Sequence, residues 1–144
     1  LSGQTLEIIN LTEQVATFKV GLLGIEAPVR GQDPWYGQSK AWLESAFAAD
    51  KSIQLEADLQ TQWVNCSRSV SRFAYVWQGN VLLNEKLIET GHALVGQSVS
   101  TLKYRQRLIR AQEKARLAGV GIWNPQQPLR ERPSEFCQQN SSKT

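Results

Sequence analysis

The chain has 144 residues, 41% of them hydrophobic and 20% charged, with a formal net charge of +3. That is one domain of ordinary size with enough apolar side chains for a core, which excludes a disordered chain. No apolar stretch approaches the length of a membrane-spanning helix.

The chain opens at Leu1 inside a strand-like run, with no initiating Met and no leader pattern, which leaves an upstream targeting segment open. Two runs rich in β-branched and apolar residues, 4–11 and 15–25, predict two strands joined by a polar turn. A loop follows at 29–34. The spacing of Ala41, Trp42, Ser45, Ala46 and Ala49 predicts a helix over 37–50 with these residues inward. Residues 52–59 alternate apolar and polar, as a half-buried strand does, and 60–72 read as a long hairpin loop. Over 73–91 the pattern is strand, turn at Gly79-Asn80, short strand and a helix from Asn84 that stops at Gly91. A short strand at 92–96 precedes the longest helix, 101–119, with Leu102, Leu108, Ile109 and Ala115 inward and Gly119 as its stop. Beyond Trp123 the chain is rich in Pro and Gln. Short strands with helices inserted predict an α+β fold, mainly β, built on a five-stranded Greek-key barrel of the OB type with about three helices; an α+β sandwich gives a similar string.

Charge concentrates in one place. Lys103, Arg105, Arg107, Arg110, Lys114 and Arg116 face a single acid, Glu113, within 103–116. That is either an anion-binding face or a solvated helix surface. Cys66 and Cys137 lack metal-ligand spacing and stand far from His92, which argues against a zinc site. They fit one disulfide in an exported, extracytoplasmic protein, or two thiols in a reducing compartment. Trp42, Trp77 and Trp123 fall on core positions; Trp35 and Trp63 fall in loops, where they are candidates for stacking or a protein contact. His92 reads as structural, and Asn84 and Glu85 open a helix, where satisfying backbone groups is the expected role.

The runs SGQTLEI, GLLGIEAP, WYGQSKAWL, FAYVWQGNVLLNEKLIETGHALV and RAQEKARLAGVGIW resemble the staphylococcal nuclease (thermonuclease) family in order and spacing, over about residues 1–123. The resemblance implies an OB-fold domain over 1–123 followed by a tail, 124–144. It also implies an ancestry among calcium-dependent phosphodiesterases that cleave DNA and RNA. The site residues it implies are substituted. A calcium-binding Asp position is Gln4, a phosphate-clamping Arg position is Gly21, and a second calcium-binding Asp position is Glu26. The position of the water-activating Glu is Val29, and that of a charge-stabilising Arg is Ser71. Arg72 lies one place later, on the opposite strand face unless a bulge shifts the register. The family's base-stacking tyrosines fall near Gln97 and Val99.

Phosphodiester hydrolysis needs an activated water, a cation on the developing charge and a positioned phosphate. Val29 cannot accept a proton, Gly21 cannot pair with phosphate, and calcium wants six to eight oxygens, largely carboxylate. The substituted pocket therefore predicts no catalytic residues and no metal, with Glu26 kept to cap the turn at Pro28 by accepting backbone N–H bonds. Three functions follow. The first is an interaction or scaffold module with a protein partner or longer assembly and no cofactor. The second is a nucleic-acid-binding module that grips DNA or RNA phosphates weakly through Arg68, Arg72, Lys103, Arg107, Arg110 and Lys114, with Trp63 for stacking. The third is a nuclease with relocated residues Glu26, Arg30 and Arg72, the one reading that calls for calcium.

Overall fold

The computed structural model describes residues 5–10, 15–47, 52–58, 72–96 and 102–141. Strand β1 (Thr5–Asn10) pairs antiparallel with β2 (Val15–Leu22), Ile8 standing opposite Phe18 and Thr5 opposite Gly21. β2 runs parallel to β5 (Arg72–Gln78), and β4 (Gln54–Glu56) pairs antiparallel with β5. β6 (Val81–Leu82) folds back on β5 at Gly79-Asn80 to complete a five-stranded sheet. β3 (Ile25–Glu26) and β7 (Leu94–Val95) form a separate two-stranded ladder, with Glu26 opposite Leu94.

The helices are α1 (Trp35–Phe47), α2 (Leu83–Glu89), α3 (Arg105–Ala118) and α4 (Pro133–Ser141). The arrangement is the α+β fold the sequence predicts, with four helices among the described residues rather than about three. α2 packs across β5 and against α3. Its Leu83, Leu87 and Ile88 join Tyr75 and Val76 of β5, Leu22, Leu23 and Ile25 of the β2–β3 corner, and Leu108 of α3 in one core.

Asn84 is the polar member of that core, at 0% exposure. Its Oδ1 accepts the Val76 N–H at 2.9 Å, and its Nδ2 donates to the carbonyls of Leu23 at 2.9 Å and Ala74 at 3.3 Å. The sequence places this residue at a helix start, satisfying backbone groups. The groups it satisfies belong to β5 and to the β2–β3 corner, and the N-cap is Leu82, whose side chain makes no capping bond.

Two expectations are corrected. α1 begins two residues earlier, at Trp35, and buries Ser39 and Leu43, with Trp42 and Phe47 against the core; Ala41 and Ser45 are exposed. Leucine and aromatic side chains remove more apolar area from water than alanines do, so they set which face turns inward. Ala49 lies outside the described residues. The strand expected over 52–59 shrinks to β4, where Leu55 is 41% exposed while Glu56 turns toward Trp77 and Tyr104. The indole N–H and phenol O–H there need an acceptor, and the carboxylate supplies it. The tail carries α4, and Cys137 within it is disulfide-bonded. The chain's other cysteine, Cys66, lies outside the described residues, as do the hairpin loop expected before β5, Gln97 and Val99.

Candidate functional site

The sharp β2–β3 corner delivers Glu26 into the ladder with β7, at the base of the 27–34 loop. Its side chain is 11% exposed. A carboxylate so enclosed needs donors, and the C-terminal segment supplies them. The Arg132 guanidinium donates to Oε2 through Nη2 at 2.5 Å and Nε at 3.2 Å. The same Nη2 donates to the Val95 carbonyl at 2.7 Å. The Ser134 N–H donates to Oε1 at 3.2 Å. Glu26 thus accepts a backbone N–H, but from Ser134 and not from the Pro28 turn. That turn is already served by Gln32, whose Oε1 accepts the Val29 N–H at 3.1 Å and whose Nε2 donates to the Glu131 carbonyl at 2.9 Å.

The other pocket positions add nothing titratable to Glu26. Gly21 is buried on β2 and Val29 is half-buried in the loop. Gln4 and Ser71 lie outside the described residues. Arg72 pairs with Val20, Phe73 with Gly21 and Ala74 with Leu22, an unshifted ladder over the described residues. Arg30 is exposed in the loop. Among the described residues, no three His, Cys, Asp or Glu side chains gather where a metal ion could be held. A calcium ion at Glu26 would also have to displace a guanidinium already in contact with it, so these residues do not fit the ion.

The basic helix is largely neutralised. Lys103 Nζ meets Glu56 at 2.6 Å, Arg107 Nε meets Glu85 at 2.6 Å, Lys114 Nζ meets Glu89 at 2.9 Å and Arg116 Nη1 meets Glu113 at 2.9 Å. Arg107 also lies over the rings of Trp77 and Tyr104, 5.4 and 5.7 Å from their centroids. Arg110 is exposed and, among the described residues, has no ion-pair partner. Arg68 and Trp63 lie outside the described residues. Trp42 and Trp77 pack against the core as expected, and Trp123 is half-buried under Arg116. His92 is held by Thr90, whose Oγ1 is 2.9 Å from Nδ1, and burial lowers its pKa.

Sequence reasoning misses the polar cluster that ties β4 to α3. Glu56 Oε1 accepts from Trp77 Nε1 at 2.9 Å and from the Tyr104 hydroxyl at 2.7 Å. Asp58 accepts the Tyr75 hydroxyl at 2.5 Å and the Lys103 N–H at 2.8 Å. Burial, and then the bond to Asp58, raise the Tyr75 pKa. The available signal was the pair of carboxylates two apart in a strand that also had apolar residues to bury.

This cluster has a pH signature. The Lys103 ammonium, and then the Tyr104 hydroxyl, hold the Glu56 carboxyl below its ordinary range; Lys114 does the same for Glu89. A carboxylate depressed in the folded chain binds fewer protons there than when unfolded. Its stabilisation is complete above the unfolded pKa and is lost as pH falls through the folded one. His92, lowered by burial, acts in the same direction from its ordinary 6.5 downward, because the unfolded chain takes up the proton first. Thermal stability is expected to dip below about pH 6.5 through His92 and to fall further below about pH 4.5, and the gap between native and Glu56→Gln chains to close as the pH falls from about 5 to about 2. A gap constant across that range in a melting series would remove Glu56 from the account.

A small α+β domain is the class these features define. The family described as "Staphylococcal nuclease homologue" matches residues 19–125, and the chain belongs to it. The Thermonuclease of Staphylococcus hyicus is 28% identical over 107 residues, covering 72% of this chain and 61% of that protein. The chain thus spans less than two thirds of that relative's length.

Proposed function

We propose that this chain is a catalytically inactive member of the family that works as an interaction module. The observation that supports this best is the state of Glu26: its two oxygens are occupied by Arg132 and Ser134 from the chain's own C-terminal segment. Neither Gly21 nor Val29 can supply the phosphate contact or the proton acceptor that hydrolysis needs. General-base loss alone removes about two to four orders of magnitude in rate. The expected result is no degradation of single-stranded DNA or RNA that rises with millimolar calcium and stops with chelator. Chelator-sensitive cleavage by a contaminant-free preparation would overturn the reading.

Nucleic-acid binding is the second reading, and the exposed Arg110 favours it. With Lys103, Arg107 and Lys114 already paired to carboxylates, binding should be weak and indifferent to sequence. Its logarithm should fall with log salt by roughly 0.7 per phosphate contacted on single strands. Charge reversal at Arg107 and Arg110 should weaken all sequences alike. Tight binding at physiological salt that survives both changes would place any nucleic-acid surface elsewhere.

A further inference from the structure

We infer that the groove beneath the C-terminal segment is a peptide-docking site occupied in cis. Its partner is a protein segment carrying an arginine followed, four residues later, by an aromatic residue. The inference rests on the reading of the chain as an interaction module and names the chemistry of its partner.

The groove presents a compact set of recognition groups. Its floor holds the Glu26 carboxylate and the Val95 carbonyl, which together take three donor contacts from Arg132. A lysine would bring one point charge to this place and could not set Nε and Nη2 on one oxygen while reaching a carbonyl. One helical turn on, the Phe136 ring lies on Gly31. A Cβ there would stand 2.8 Å from the ring's Cζ and 3.1 Å from its Cε1, so the absence of a side chain is what makes the ring's seat. Two main-chain groups of the occupant are also read, Ser134 N–H by Glu26 and the Glu131 carbonyl by Gln32. Two side chains and two backbone groups within six consecutive residues form a recognition pattern of linear-motif size.

The occupant is separable from the groove. α4 has nine residues, and a helix that short does not persist alone in water. Its order therefore depends on its seat. It is held by contacts to residues roughly a hundred positions away, by the Leu129 N–H to the Ile122 carbonyl at 2.9 Å, and by the Cys137 disulfide. Tethering gives a cis segment an effective concentration in the millimolar range, so a partner gains access only when the strap is released. A cleft of about 380 Å³ lies between the strap and the loop, lined by Trp35, Leu129 and Phe136 together with the polar Gln32, Asp33 and Glu131.

The test uses the full chain carrying Cys137→Ser, Arg132→Ala and Phe136→Ala together. The probe is a labelled peptide of residues 128–141 with serine at position 137, followed by fluorescence anisotropy. The expected result is saturable binding to this chain and none to the native oxidised chain. Glu26→Gln in the released chain, or Arg132→Lys in the peptide, should weaken binding at least ~10-fold. Binding to neither chain, equal binding to both, or indifference to Glu26→Gln overturns the proposal. If the Cys137→Ser chain instead dimerises by exchanging straps, the occupant is a second copy and the proposal fails as stated. Should the triple variant not fold, hydrogen exchange on the single Glu26→Gln chain decides. Strap amides should exchange at least ~10-fold faster than in the native chain while α2 and α3 are unchanged, and unchanged strap exchange overturns it. Nuclease activity would sink the interaction-module reading and leave the peptide result standing; loss of peptide binding alone sinks the docking site.

Discussion

Asn84→Ala is expected to lower stability by about 3–5 kcal/mol, measured by urea denaturation, because each buried backbone group left without a partner costs roughly 1–3 kcal/mol. The substitution strands the Val76 N–H and the Leu23 carbonyl in the core. The Ala74 carbonyl keeps a second donor, the Leu23 N–H at 3.0 Å, so it adds little. Asn84→Asp should be no better than alanine. It keeps the acceptor for Val76 but turns an anionic oxygen toward two carbonyls at a fully buried position. That outcome separates the structure's assignment from a helix-capping role, in which Asp and Asn are nearly equivalent. Glu85→Gln, next in sequence, serves as the control. It loses a partly exposed ion pair to Arg107 and should cost under about 1 kcal/mol. A loss below about 1 kcal/mol for Asn84→Ala would show that the strands do not depend on this side chain.

What could be read from the sequence follows the range of the interactions that decide each element. From β5 to the end of α3, turn signals come every few residues, at Gly79-Asn80, Gly91 and Gly119, and the apolar periodicity between them is unambiguous. The structure follows it closely, down to the left-handed cap at Gly119. Of the α1 face only Trp42 was placed correctly, because small residues and large ones both fit a helical stripe and only the core chooses between them. The polar tail carries no local signal for α4, since its order depends on Glu26, 106 positions before Arg132. The charge on α3 misled for the same reason. Its neutralising partners Glu56, Glu85 and Glu89 lie 47, 22 and 25 positions away, so a window over 103–116 could not count them. That the Glu26 carboxylate meets Arg132 and Ser134 was not legible, because those residues lie beyond the stretch that carries the family resemblance.

Gly121→Ala is expected to be the most damaging of the single methyl additions, costing more than about 3 kcal/mol or preventing folding. At φ +57 the residue is already in the left-handed region, and an added Cβ would stand 2.0 Å from the Gly91 carbonyl oxygen and 2.7 Å from its carbon. The approach is mutual, since a Cβ on Gly91 would stand 2.4 Å from the Val120 oxygen. Both obstacles are main chain, so no rotamer change relieves them. The two backbones meet because the Ile122 N–H donates to the Gly91 carbonyl at 2.9 Å, joining the end of α2 to the turn after α3. Pushing them apart withdraws Ile122, which is 2% exposed, and disturbs its carbonyl, the acceptor for Leu129 at the root of the strap. Gly79→Ala isolates the conformational part of the effect. It has a similar φ of +61 but nothing within 4 Å of the added Cβ, so it should cost about 1–2 kcal/mol. The excess of Gly121→Ala over Gly79→Ala then measures the close approach itself. Equal losses in paired denaturation curves would mean that the two backbones are free to separate. In that case the strap's root is not anchored by the Gly91–Gly121 contact, and hydrogen exchange at Leu129 in the Gly121→Ala chain should match that of the native chain.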